Sequence, residues 1–148
     1  MGYDVETMDV DFTIPHEYLD DAFKAMCDLN WRNDLKSGGR WPAVENADDS
    51  GPREDKWFSW MSWDYHVTCK SAEDIFRELG FETHMDDGDF HLSFYNSKIG
   101  DEEHFLRAVA PFVRHGSFIE WRGEDGSMWR YAFAFGKMLV QNATIVWE

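Results

Sequence analysis

Basic residues are scarce in this chain: 14 Lys and Arg stand against 29 Asp and Glu, a formal charge of −15 over 148 residues. Such a surface repels nucleic acid and anionic membrane as direct partners. It also exceeds what solubility needs and works against compaction, so the expected partner is a basic protein. An acidic host proteome, perhaps a halophilic one, would give the same balance with no specific meaning. Cysteine is almost missing. Cys27 and Cys69 form no CxxC or Cys/His spacing, which removes a disulfide framework and a zinc ribbon, and Cys27 falls within a helical pattern as a small buried hydrophobe. No apolar run approaches the ~18 residues that span a bilayer, and a start containing Asp4 and Glu6 lacks a basic-then-apolar leader. The expectation is a reduced, cytoplasmic protein. No Ser or Cys stands in a nucleophile elbow and no glycine-rich phosphate loop follows a strand, so no catalytic residue is assigned and no cofactor is expected.

Aromatic residues are plentiful, at 17% with eight Trp, and a chain of this length buries a real core. One domain, residues 1–148, is expected. The strongest local signal is the run from Phe118 to Tyr131, two β-rich segments about a Glu-Asp-Gly corner. A two-residue turn would set Trp121 opposite Arg130. A three-residue loop, Glu124 to Gly126 with Gly126 left-handed, sets Glu120 opposite Arg130 and Trp121 opposite Trp129. Only the second register gathers Ile119, Trp121, Trp129, Tyr131 and Phe133 on one face, and it is preferred because a one-residue slip buries charge.

Earlier in the chain, Met8, Val10, Phe12 and Ile14 alternate with Asp9, Asp11 and Thr13, predicting a half-buried strand. Pro15 opens a helix running to about Leu29 with Tyr18, Ala22, Ala25, Met26 and Leu29 inward. Glu17, Asp21 and Asp28 lie opposite, with Lys24 the only base, and residues 1–30 carry eight acids and one base. Residues 31–56 form a long connection that Trp31 and Trp41 pin to the core, with 44–55 expected to be mobile. Trp57 to Trp63 reads as a strand. Ser71 and Asp74 form a capping box for a helix that Gly80 ends. Asp87-Gly88 turns a hairpin pairing Met85 with Phe90, His84 with His91 and Asp86 with Asp89. Asp101 caps a third helix that Pro111 breaks, and three strands follow, 117–122, 128–135 and 137–147, the last broken near Asn142. The fold class expected is α+β: an antiparallel sheet with three helices, a ferredoxin-like βαββαβ core from Trp57 onward, a C-terminal hairpin and an added N-terminal β-α pair.

Three constellations bear on function. His84, His91, Asp86 and Asp89 share one hairpin face at cross-strand spacing, so two imidazoles and a carboxylate are placed to hold a divalent ion; the plain reading is a solvated face. Trp57, Trp60 and Trp63 read first as core packing, with Trp60 and Trp63 as anchors for a protein partner; Glu54, Asp55 and Asp64 nearby do not suit a base-stacking platform. The acidic display comprises Asp9 and Asp11 on the strand and Glu17, Asp20, Asp21 and Asp28 on the helix. Its spacings of roughly 6–7 Å and 5–6 Å approach every second phosphate of a nucleic-acid strand.

The run Gly116-Ser117-Phe118-Ile119, Arg122-Gly123-Glu124-Asp125-Gly126, Trp129-Arg130-Tyr131, Phe133 and Gly136-Lys137, preceded by Ala110-Pro111-Phe112-Val113, resembles the C-terminal part of small uncharacterised proteins of bacteriophages and mobile elements. The resemblance covers residues 100–137. It carries no catalytic residue. It implies a mobile-element setting in which small acidic proteins inhibit host defence, anti-CRISPR proteins among them. The expected function is a non-enzymatic inhibitor of a basic host nucleic-acid-handling protein, acting as a DNA mimic. The alternatives are a metal-binding enzyme or switch at the His84/His91 hairpin, and a toxin-neutralising immunity protein.

Overall fold

A computed structural model describes residues 2–40 and 49–143. The fold is α+β. Its centre is the N-terminal strand β1, Asp4–Ile14, which pairs on both sides. One flank takes β7 (Phe118–Gly123). The other takes β5 (Asp89–Phe94) at the Phe12–Ile14 end and β6 (Asn96–Lys98) at the Asp4–Glu6 end. Tyr95, between β5 and β6, makes this division possible. Its carbonyl accepts the Thr7 N–H at 2.9 Å and its own N–H donates to the Thr7 hydroxyl at 3.0 Å. Strand β4 (Glu82–Asp86) extends the sheet beyond β5, and β8 (Met128–Ala134) and β9 (Lys137–Asn142) extend it beyond β7. Every pairing in this sheet among the described residues is antiparallel.

The ferredoxin-like βαββαβ order is not what the sheet adopts. Its first strand, expected over Trp57 to Trp63, does not join the sheet: only β3, Lys56–Trp57, is extended, paired with β2, Gly38–Gly39, as a separate two-stranded ribbon. β1 takes the central place instead. Phe58, 1% exposed, still enters the core, but from a turn.

β1 also corrects the alternation. A bulge between Thr7 and Val10 sets three steps of β1 against two of β7. An extra residue reverses which side chains face inward. Val5 and Thr7 are therefore buried before the bulge and Phe12 and Ile14 after it, while Met8, expected inward, is 52% exposed.

Among the described residues four α-helices, rather than three, cover one face of the sheet. α1 is Leu19–Leu29, preceded by a 3-10 turn at His16–Tyr18 where Pro15 was expected to start the helix itself. α2 is the short Tyr65–Thr68, α3 Ala72–Leu79 and α4 Glu102–Val109. The Ser71 hydroxyl accepts the Asp74 N–H, and the Asp74 carboxylate reaches back to the Lys70 N–H, one residue earlier than in a capping box. α4 gives way to a 3-10 turn at Ala110–Phe112, where Pro111 cannot continue it. Phe12, Phe76, Phe90, Phe105 and Phe133 fill the layer between sheet and helices, with Phe76 stacked on Phe90 at 5.3 Å. Both expected hairpins form in the expected registers: Trp121 faces Trp129, and His84 faces His91.

Trp41, residues 44–48 and the strand extension over 144–147 fall outside the described residues. Over 49–55, expected to be mobile, Arg53 pairs with Asp49 at 2.7 Å and Asp55 at 2.6 Å, and Asn33 donates to Asp49 and to the Gly51 carbonyl. Among the described residues no helix is long and apolar enough to cross a membrane.

Candidate functional site

α1 presents its acids because its apolar positions are spent inward. Ala22 and Met26 are fully buried, and the opposite face carries Asp21, Lys24 and Asp28, with Glu17 in the 3-10 turn just before the helix, all exposed. Asp20 and Asp21 occupy the first turn, where the unpaired N–H groups of the helix favour negative charge. Lys24 pairs with Asp28 at 3.4 Å, an exposed contact worth a few tenths of a kcal/mol, roughly. Asp9, Asp11, Glu17, Asp20 and Asp21 form no ion pair among the described residues.

The expected partner-binding residues do not share one surface. Asp9 lies in the β1 bulge and Asp11 on the sheet face away from the helices, opposite Phe118. Glu17, Asp20, Asp21 and Asp28 lie on the helical side. Trp60 is 48% exposed and held at φ 71°. Trp63 is half-buried, its carbonyl accepting from Asn30 Nδ2 at 2.9 Å. Asp20 alone of the set also lines a groove of about 240 Å³ between α1, the start of α3 and the β4–β5 hairpin. Leu19, Phe23, Met85 and Phe90 give that groove an apolar floor, with Glu73 and Lys70 at its rim.

At the other constellation the His84 and His91 rings stack 4.8 Å apart with 12° between planes. His91 Nδ1 lies 3.0 Å from the Thr13 hydroxyl. Asp89 turns away from the pair, accepting the His16 N–H at 2.8 Å and pairing with Arg114 at 3.6 Å. Among the described residues no three or more His, Cys, Asp or Glu side chains gather in a metal-holding group.

Two carboxylates at the start of α4 are buried, Asp101, expected to cap the helix, and Glu102. Asp101 stands at the N-cap of α4, but its side chain makes no capping hydrogen bond. Its Oδ2 accepts the Ser37 N–H at 3.1 Å, the Ser37 hydroxyl at 2.9 Å and the Ser59 N–H at 2.9 Å, tying two loops to the helix. Glu102 is 3% exposed, accepts the Tyr95 hydroxyl and takes the Gly100 N–H at 2.8 Å. Burial raises its pKa and that of Tyr95. The cue was the tyrosine that closes β5, since a buried phenol needs a partner. Lys36 is also buried, donating to the Asn30 carbonyl at 2.9 Å and Asn33 Oδ1 at 2.8 Å, and desolvation lowers its pKa to about 8. The Cys69 thiol is pushed up to about 12, by burial first and by its bond to Glu78 second. It stays protonated at neutral pH and is a poor nucleophile.

Charge is unevenly spread. Residues 1–103 hold 25 acids against nine bases, whereas residues 104–143 hold three acids against five bases. No protein-family model matches the chain, and neither a curated protein nor a solved structure shows detectable similarity to it.

Proposed function

We propose that the protein is a non-enzymatic inhibitor that binds a basic nucleic-acid-handling protein through the outward face of α1. The observation that carries this reading is the solvent side of that helix: Asp21 and Asp28 around a single Lys24, with Asp20 at its shoulder and Glu17 in the 3-10 turn that leads into it. Among the described residues Glu17, Asp20 and Asp21 form no ion pair, only Asp28 pairing with Lys24; such carboxylates are placed to meet the Lys and Arg that otherwise hold phosphates, and charge steering makes such an encounter fast and salt-sensitive. The mobile-element setting implied by the C-terminal resemblance fits an anti-CRISPR or anti-restriction inhibitor that takes the place of DNA. Asp9 and Asp11 stand apart from this face and belong to a second contact or to none. The partner is sought by capture from host lysate on the immobilised protein, followed by elution with duplex DNA. A captured basic protein that DNA displaces, and that the Asp20→Lys/Asp21→Lys/Asp28→Lys variant does not retain, supports the reading. A partner retained equally by that variant contradicts it.

A further inference from the structure

Phe135 breaks a local rule at the turn between β8 and β9. It is 88% exposed and occupies the first of two left-handed positions, at φ 52° with Gly136 at φ 76°. That position normally takes Asn, Asp or Gly, because a Cβ there costs free energy. Here the residue is a bulky aromatic that gains almost no burial in return. Its geometry is nevertheless fixed. The Phe135 N–H donates to His115 Nδ1 at 3.3 Å, and the two rings lie 4.6 Å apart at 49°. An exposed aromatic held rigidly in strained backbone has the properties of an interface anchor.

The unpaired charge beside this knob is basic. Lys137 follows the turn and forms no ion pair among the described residues, whereas Arg107 pairs with Glu103 at 3.5 Å and Arg114, next to His115, with Asp89 at 3.6 Å. The groove between α1, α3 and the β4–β5 hairpin is its complement: an apolar floor with Met85 47% exposed, and at the rim the carboxylate of Asp20, which forms no ion pair among the described residues, and that of Glu73, which pairs with Arg77 at 3.6 Å, beside Lys70. We infer that the Phe135 knob of one copy docks into this groove of a second copy, with Lys137 facing Asp20 and Glu73. Knob and groove are different patches, so the contact is heterologous and each copy keeps one free half for the next. At physiological ionic strength the overall negative charge is screened beyond about 8 Å, leaving the local complementarity to decide the contact. This surface is separate from the proposed partner face except at Asp20.

Sedimentation velocity at physiological salt, from about 10 µM to about 1 mM, tests it in the range where small interfaces associate. The wild type is expected to sediment faster as concentration rises. Phe135→Asn, which suits the left-handed turn, and Met85→Lys, on an exposed side chain, are each expected to stay monomeric. Their equimolar mixture is expected to form a dimer and stop there, because one intact knob meets one intact groove. Lys137→Glu is expected to weaken association severalfold. A wild type that stays monomeric throughout, a Phe135→Asn protein that associates like the wild type, or a mixture that fails to dimerise overturns the inference.

Discussion

Trp121 and Trp129 face each other across the β7–β8 hairpin with centroids 6.4 Å apart and ring planes 12° from parallel. The pair follows from the three-residue loop, in which the Gly123 N–H meets the Ser127 carbonyl at 2.8 Å and Gly126 adopts φ 87°. Glu120 and Arg130, 3.9 Å apart, are left on the other face.

Two glycines in this hairpin are expected to fail for different reasons. Gly126→Ala meets nothing within 4 Å and pays only for its left-handed backbone, about 1 kcal/mol. At Gly123 an added Cβ would fall 1.7 Å from the Tyr3 hydroxyl, which donates to Asp125, so Gly123→Ala must displace the ring. In denaturant unfolding, Gly123→Ala should cost more than Gly126→Ala, and much less in a Tyr3→Ala background. Equal costs in both backgrounds would show that the contact is unimportant.

Phe135→Asn should raise thermal stability, by about 0.5–1 kcal/mol, because it relieves the αL penalty at a side chain that is 88% exposed. A lower melting temperature would mean that the His115 contact outweighs the strain.

Removing the Asp101 carboxylate leaves the Ser37 and Ser59 N–H groups without their acceptor. Asp101→Ala should destabilise by about 2–4 kcal/mol, and Asp101→Asn by less because its amide oxygen still accepts. Urea unfolding measures both, and an Asp101→Ala protein as stable as the wild type would remove the clamp.

Lys36 gives a pH signature. Its folded pKa, about 8, lies below the ordinary lysine value, so between pH 8 and about 10.5 the unfolded chain binds the extra proton. Stability contributed by this group therefore rises with pH through that window. The gain relative to Lys36→Met should be of the order of 2–3 kcal/mol. A difference that stays flat from pH 8 to pH 10.5 would contradict the burial of the amine.

The hairpins were legible because turn chemistry and side-chain period act over a few residues: Asp87-Gly88 and Glu124-Asp125-Gly126 each fix a register. The helix from Ser71 to Gly80 was legible for the same reason. The centre of the sheet was not. β1 pairs with segments some 80 to 120 positions away, and nothing local marks Asp4–Ile14 as central rather than added. The bulge at Met8 and Asp9 hid behind a clean alternation, because it is set by the partner strand β7. Trp57 to Trp63 misled because aromatic runs are common to strands and to turns that plug a core, as Phe58 does. For the site, composition led to α1, whereas the separation of Asp9 and Asp11 from it depends on which sheet face the helices cover.

The central claim, a partner held by the acidic face of α1, is tested most directly by the affinity of a captured basic partner at low and physiological salt. Wild type is compared with the Asp20→Lys/Asp21→Lys/Asp28→Lys variant. At least a tenfold loss at low salt is expected for the variant, roughly 1.4 kcal/mol or more, together with a flatter dependence on salt. Unchanged affinity and an unchanged salt slope would contradict it.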